Sequence, residues 1–225
     1  MIEQTRKRSR WLHAATALLL LAIGTTGCGG GTSVGGTYGS AETTTFEGWV
    51  AYKDMSDAKA EELFKNALSL DPGFSEAHNG LGWLDFRRAG QVEGEKQSEY
   101  LTAAKVDFER ATASNPENTD AWAGLAGAEL ASGSYAEARD AANRALSLNS
   151  RYFSSHDNID YKDLHLVLAE SYFFLGWFTN TQQTPDPNNA LYHLNVLSPG
   201  YKELYHGQAL TPPDLILKLE DLQTL

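Results

Sequence analysis

Residues 60–72 read AEELFKNALSLDP, and residues 104–116 read AKVDFERATASNP. The two stretches carry the same four residues at the same spacing: Ala60, Phe64, Ala67 and Pro72, then Ala104, Phe108, Ala111 and Pro116. Residues at i, i+4 and i+7 lie on one face of a helix, so each stretch predicts a helix with a small–large–small packing face. The proline cannot continue that helix, so a turn is expected where it stands.

A second recurrence precedes the first. Gly48, Trp49, Tyr52 and Lys53 return 34 residues later as Gly82, Trp83, Phe86 and Arg87. This segment is expected to form the partner helix of each unit. Because a single helix pair cannot bury its apolar face alone, the pairs must stack on one another.

The two patterns resemble those of the tetratricopeptide repeat (TPR), whose helix A carries Trp-Leu-Gly-Tyr and whose helix B carries Ala-Phe-Ala-Pro. The resemblance covers roughly residues 41–197 and implies an all-α right-handed superhelix, or α-solenoid, of about four helix pairs. The units are expected at about 41–74, 75–118, 119–150 and 162–199, with a C-terminal capping helix at about 212–225. The second unit carries about ten extra residues, placed near Gln91–Ser98, and the third has Ala142 where Phe is usual.

The N-terminus has the pattern of a targeting segment. Four basic residues at 6–10 precede an apolar run of 13 residues, 11–23, which is too short to span a bilayer and suits a signal peptide. Small residues then lead to Cys28, the only cysteine, and resemble a bacterial lipobox in which Thr25 replaces the usual aliphatic residue. The implied organisation is a lipoprotein signal peptide at 1–27, a lipidated Cys28 with a flexible Gly/Ser linker to 40, and a helical domain at 41–225. The alternative is an ordinary secretory signal followed by an unpaired cysteine.

The net charge of the chain indicates which kinds of partner it can bind. Removal of residues 1–27 takes away four cations and one acid, which leaves 14 cations against 28 acids, or a net charge of −14. Such a chain is expected to avoid nucleic acid and anionic membrane surfaces. Gly29 after the lipidated cysteine implies, by the rule for enteric-type lipoproteins, an outer-membrane location facing the periplasm of the bacterial cell envelope.

Catalytic signatures are missing from the sequence. The six histidines do not form a His-Glu-x-x-His pair, and no phosphate-binding Gly-Lys-Ser/Thr loop or Gly-x-Ser-x-Gly elbow occurs. No enzyme activity, cofactor or metal is therefore predicted. One polar cluster leaves two interpretations open, a cation site or the solvated start of the next helix: His156, Asp157, Asn158, Asp160 and Asp163.

In TPR proteins the A helices line the concave face. Carried over to this chain, the family pattern implies an aromatic groove that binds an apolar or amphipathic segment of another protein, lined by Trp49, Tyr52, Lys53, Asn79, Trp83, Phe86, Arg87, Phe173 and Phe174. The groove lacks the Lys/Asn/Arg arrangement with which chaperone-binding members hold a terminal carboxylate. The alternative is that the protein's own helices bury these aromatics. Leu215, Ile216, Leu219 and Leu222 then form either a cap on the last repeat or a helix folded back into the groove.

The leading hypothesis for function is a membrane-anchored protein–protein interaction adaptor of the cell envelope. The alternative is a structural subunit of a larger envelope complex for assembly or secretion, which uses the convex face or the 91–98 insertion. A binding protein for a small apolar ligand, or an enzyme, is the third class and would need an enclosed cavity.

Overall fold

The computed structural model describes residues 39–178, 186–199, 218–219 and 221–222. The predicted signal peptide, Cys28 and most of the linker lie outside these residues. The described helices are α1 (Ala41–Lys53), α2 (Asp57–Leu70), α3 (Ser75–Ala89), α4 (Glu95–Ser114), α5 (Thr119–Ser132), α6 (Tyr135–Leu148), α7 (Tyr161–Phe174) and α8 (Ala190–Leu197). Within the described residues there is no β-strand, only an isolated bridge between Phe153 and Asp160.

The helices form four stacked pairs, α1/α2, α3/α4, α5/α6 and α7/α8, and each pair packs on the next. The first helices of successive pairs (the A helices α1, α3, α5 and α7) also contact one another, whereas the second helices of successive pairs (the B helices) do not approach as closely. The stack therefore curves towards its A helices. The predicted all-α solenoid of helix pairs is confirmed, and the side formed by the A helices is called the inner face below.

Two phenylalanines act as wedges between repeats. Phe64 of α2 lies against Gly48 of its own pair and Gly80 of the next; a Cβ added at Gly48 would stand 2.6 Å from the ring, and one added at Gly80 would stand closer still. Phe108 of α4 lies in the same way against Gly82, where an added Cβ would stand 2.7 Å from the ring, and more tightly against Gly124. Because these distances are far below van der Waals contact, the glycines allow each ring to touch two A helices at once.

The third junction reverses this arrangement. Ala142 stands at the Phe position of α6, as the sequence shows, and Leu166 of α7 stands at the helix position that Gly80 and Gly124 occupy in their repeats. Both side chains are buried. At this junction the bulky residue therefore stands in the A helix and the small one in the B helix.

The turns between pairs follow one pattern. After α2, α4 and α6, the backbone N–H of the first turn residue donates to the carbonyl of Ala67, Ala111 or Ala145, each the last small residue of its motif. A second bond closes each turn three residues later: Phe74 to Asp71, Asn118 to Asn115, and Tyr152 to Asn149. The first two turns contain the predicted prolines, and the third forms without one.

The extra residues of the second unit lengthen a helix. Residues 90–94 connect α3 to α4, and the remaining part of the predicted 91–98 insertion lies in the first turn of α4. As a result α4 has 20 residues, whereas α2 and α6 have 14 each. Of the predicted C-terminal helix, residues 218–219 and 221–222 are described; they are helical, and Leu219 and Leu222 are buried.

Gly124→Ala is expected to destabilise the fold by about 1–3 kcal/mol, because its Cβ would clash with the Phe108 ring. In an exposed helix, alanine is more stable than glycine by roughly 1 kcal/mol, so a loss of stability at this position would come from the clash. Urea unfolding followed by circular dichroism measures it. Gly73→Ala, whose Cβ would meet its nearest atom at 3.6 Å, is the control and is expected to stay within about 0.5 kcal/mol of wild type.

A combined Gly124→Ala/Phe108→Leu variant is expected to lose less stability than the two single changes summed, since the smaller side chain makes room for the new methyl group. Strict additivity would show that the ring and the glycine do not form one packing unit.

Candidate functional site: a loop seated on the inner face

The connection between α6 and α7 is unusually long. It spans residues 149–160, whereas residues 71–74 and 115–118 suffice at the two preceding junctions. The ordinary turn is already closed at Tyr152, so residues 153–160 are an addition to the repeat, called the insertion loop below. The loop is a hairpin: Ser154 N donates to Ile159 O at 2.9 Å, and Tyr161 N donates to Tyr152 O at 2.8 Å.

The tip of the loop is held by a serine. Ser154 Oγ accepts hydrogen bonds from the backbone N–H groups of His156 and Asp157, at 3.3 and 3.1 Å. These bonds are internal to the loop, so the hairpin satisfies this part of its own backbone. The loop then contacts the rest of the protein through side chains that point onto the inner face.

His156 is the central contact. Its ring stacks on Trp49 of α1, with centroids 4.1 Å apart and planes 14° from parallel. It also meets Tyr52 at 5.6 Å and Trp83 of α3 at 5.1 Å in edge-on geometry. The side chain is only 4% exposed. Three aromatic rings from two repeats thus enclose the histidine.

Both ring nitrogens of His156 face carboxylates. Nε2 lies 2.7 Å from Asp120 Oδ2 of α5, and Nδ1 lies 2.8 Å from Asp157 Oδ2. A carboxylate can only accept, so both nitrogens donate and the ring is an imidazolium. Burial by itself lowers the pKa of His156, but the charge and hydrogen bond of Asp120, with those of Asp157, outweigh it and raise the pKa to about 9.

Asp120 collects four donors. Asn79 Nδ2 and Trp83 Nε1 of α3 donate to it at 2.8 and 2.9 Å, and Tyr152 donates through its hydroxyl in addition to His156. Desolvation by itself raises the pKa of Asp120, but the His156 charge and these hydrogen bonds outweigh it and hold the pKa below its usual value. A carboxylate with this many donors stays ionised and anchors the loop to the second and third repeats.

Most of the predicted partner-binding residues lie beneath this loop or deeper in the stack. Tyr52 donates its hydroxyl to Asp157 at 2.8 Å, and Trp49 is partly covered by His156. Six of the nine predicted residues are buried, namely Tyr52, Asn79, Trp83, Phe86, Arg87 and Phe173. Their role in binding a partner stays a prediction.

Arg87 is a tie between the first two repeats. Its guanidinium carbon lies 3.7 Å from the centroid of the Tyr52 ring, and Nη1 donates to the Tyr52 carbonyl at 2.9 Å. Nη2 pairs with Asp57 at the start of α2. In this position the cation faces the protein itself and is only 3% exposed.

Two predicted residues are exposed. Lys53 is the last residue of α1. Phe174 lies near the other end of the inner face, where its ring stacks on that of Tyr135 with centroids 4.4 Å apart. Phe174 is nevertheless 55% exposed. The structure therefore brings Trp49, Tyr52, Asn79 and Trp83 together around one loop, and it leaves Phe173 and Phe174 in a separate aromatic group.

The polar cluster seen in the sequence divides between two roles. Asp160 is the N-cap of α7 and Asp163 completes its capping box, as the helix-start interpretation expects. Asp157 belongs instead to the inner-face contact. The sequence does not predict the role of Asp120. It does contain one signal of the loop that Asp120 binds, because twelve residues separate Leu148 from Tyr161 where four suffice at the preceding junctions.

A second histidine contact holds the last repeat. His165 of α7 and His193 of α8 share a hydrogen bond of 2.8 Å between their Nδ1 atoms, and His193 Nε2 donates to Pro187 O at 2.8 Å. Desolvation, together with His165, lowers the pKa of His193 to about 3. Unlike His156, this pair is neutral and serves packing between α7 and α8.

Comparison with known proteins gives the same fold. The tetratricopeptide-repeat family model matches residues 96–152. A thermophilic TPR protein of Thermus thermophilus superposes with a TM-score of 0.53 at 16% identity, over 83% of this chain and 82% of that one. The Cut9–Hcn1 hetero-tetramer of the APC/C gives 0.52 at 18% identity, over 80% of this chain but 30% of the other.

MamA is a third similar structure, with a TM-score of 0.50 at 16% identity over 82% of this chain and 81% of that one. No curated protein sequence matches the chain. The family match and the solved structures together define a solenoid of TPR helix pairs, the class of fold whose established use is protein–protein interaction.

His156→Gln is expected to flatten the pH dependence of stability. The folded pKa of His156 is about 9 and its ordinary value is 6.5. The charged contact therefore stabilises the fold fully below about pH 6.5 and is lost as the pH rises through 9. The difference in melting temperature between wild type and His156→Gln should therefore shrink as the pH rises from 6.5 to 9. Thermal melting at intervals of half a pH unit measures it.

The other groups around the ring do not obscure this window. Burial, followed by Asp157, raises the pKa of Tyr52 well above 10.0, and burial with Asp120 does the same for Tyr152. Asp120 stays ionised throughout. Desolvation, followed by the Asp120 charge, raises the pKa of Glu76, but Glu76 is present in both wild type and His156→Gln, so the difference between the two proteins reports His156. Melting curves of wild type and variant that run parallel from pH 6.5 to 9 would contradict the assignment of a charged His156.

Proposed function

We propose that the protein is a membrane-anchored interaction adaptor of the bacterial cell envelope, which uses the inner face of its solenoid to bind a segment of another protein. The observation that supports this most directly is the insertion loop itself. A polypeptide hairpin, additional to the repeats, is seated on the A helices through aromatic and charged contacts. A face that holds one such segment has the shape and the chemistry to hold another. The proposal assigns no catalytic step to the site.

The anchor is proposed from the sequence. A basic start, a short apolar run and the small residues before Cys28 fit a lipoprotein signal, and the linker to residue 40 would keep the domain close to the membrane. Within the described residues, no helix has both the length and the apolar character that crossing a bilayer requires. Tethering would raise the local concentration of a membrane-bound partner without any new contact.

Cys28→Ala is expected to abolish lipidation and to move the protein from the membrane fraction to the soluble fraction. Metabolic labelling with radioactive palmitate and fractionation of cells by ultracentrifugation measure the two effects. Ser33→Ala, five residues further along the same linker, is the matched control and should keep both the label and the membrane fraction. A wild-type protein that takes up no label would contradict the proposed anchor.

Partner binding on the inner face can be tested at the two predicted residues whose side chains are exposed. A photo-crosslinking amino acid at Lys53 or Phe174 is expected to capture a partner in native membranes, because both positions belong to A helices. The same amino acid at Glu62, exposed on the B helix α2, is the control and should capture little. Capture from Glu62 but from neither A-helix position would contradict the inner face as the binding surface.

A structural subunit of a larger complex is the second candidate, and one observation favours it. Phe46 and Val50 lie one turn apart on α1, the first helix of the stack, and are 68% and 46% exposed. Adjacent exposed apolar side chains of this kind commonly mark a contact surface. The crosslinking experiment separates the two candidates when Phe46 is added as a further position. Products at Phe46 alone would favour the subunit.

A further inference from the structure

The insertion loop occupies the part of the inner face that carries three of the six aromatic side chains predicted to bind a partner, Trp49, Tyr52 and Trp83. This inference rests on the proposed function and concerns the chemistry of the partner. The loop places one cation on this face: the His156 ring lies between Trp49 and the Asp120 carboxylate. What the loop contributes shows what the face recognises.

We propose that the insertion loop is an internal occupant of the inner face, and that a partner segment displaces it by placing an arginine guanidinium where the His156 ring lies. The face then has a closed state, held by its own histidine, and an open state that is available to a partner. The rest of the solenoid is the same in both.

The geometry favours arginine over other side chains. A guanidinium is planar and cationic, so it can stack on Trp49 as the imidazolium does and donate to the Asp120 carboxylate with paired N–H groups. Asn79 and Trp83 hold that carboxylate in place independently of the loop. Glu76 lies close enough to raise the local negative charge, and the charge of −14 on residues 28–225 attracts a basic segment from a distance.

The loop can leave without opening the turn between the helix pairs, and it then withdraws Ile159 from the core. Its hairpin bonds travel with it: Ser154 N donates to Ile159 O, and the Ser154 hydroxyl accepts from the backbone N–H groups at the tip. The turn that joins α6 to the next pair closes at Tyr152, as the two shorter junctions close at Phe74 and Asn118. Residues 71–74 and 115–118 show that a repeat needs no more than this, so residues 154–159 can move as a unit while Asp160 stays as the N-cap of α7.

Opening has a cost that keeps the closed state dominant. It exposes Tyr52 and Trp83, each 1% exposed in the closed state, and removes the partner of the Asp120 charge. A partner must supply at least that much interaction free energy. Removing His156 weakens the closed state, so the apparent affinity for a partner should rise by the factor by which closure reduces it in wild type.

The test uses the full-length protein in detergent micelles, labelled with ¹⁵N at the tryptophan indoles. The probe is the peptide acetyl-Ala-Arg-Ala-amide, and its matched control is acetyl-Ala-Gln-Ala-amide. In His156→Ala, checked for folding by circular dichroism, the arginine peptide is expected to shift the Trp49 and Trp83 indole signals with at least about tenfold higher affinity than in wild type. The signals of Trp122 and Trp177 should not move.

Two further variants decide the outcome. His156→Arg should keep the loop seated and exclude the peptide as wild type does, and adding Asp120→Asn to His156→Ala should abolish binding. Equal shifts with the glutamine peptide, or equal affinity in wild type and His156→Ala, would overturn the proposal. Crosslinking from Lys53 in native membranes tests the adaptor function separately. A partner captured there with no arginine-peptide binding would leave the adaptor in place and make the loop a permanent part of the fold.

Discussion

One carboxylate, Asp120, organises the inner face of this solenoid. It accepts hydrogen bonds from Asn79 and Trp83 of the second repeat and from Tyr152 and His156 of the α6–α7 connection, while it belongs to the third repeat itself. Burying a charge is costly unless it is paired and hydrogen-bonded. The four donors meet that condition, and they can do so only when the repeats and the loop are all in register. The position of the loop, and with it the accessibility of the aromatic face, depends on this group together with the Trp49 stacking contact and the Tyr52–Asp157 hydrogen bond.

The repeat architecture can be predicted from the sequence because the residues that determine it lie close together in the chain. Phe64 and Phe108 recur with their alanines at helical spacing, and this pattern is sufficient to predict helix pairs that stack. The glycines that receive the rings are only partly recognisable. Gly48 and Gly82 stand out because they are 34 residues apart, whereas Gly80 and Gly124 contact the phenylalanine of the preceding repeat. A motif within one repeat does not show which residue of the next repeat it will touch.

The inner face is predictable in composition but not in state. The family pattern places Trp49, Tyr52 and Trp83 on the correct helices, yet their accessibility depends on His156, which is more than 100 residues from Trp49 in the sequence. No periodicity links the two positions. The interaction arises because a loop folds back across three repeats, and only the tertiary structure reveals it. The only available signal is the excess length of the connection that carries His156.

This contact also changes how the repeats depend on one another. In a solenoid each repeat touches only its neighbours, so stability is close to a sum of repeat and nearest-neighbour terms. The insertion loop breaks that rule, because Asp157 beside the fourth repeat accepts a hydrogen bond from Tyr52 of the first. With the loop seated, the first three repeats are fastened to the start of the fourth and should open as one unit. With the loop displaced, the coupling returns to neighbours alone. A segment that replaces the loop would therefore alter the cooperativity of the whole stack as well as occupy a surface.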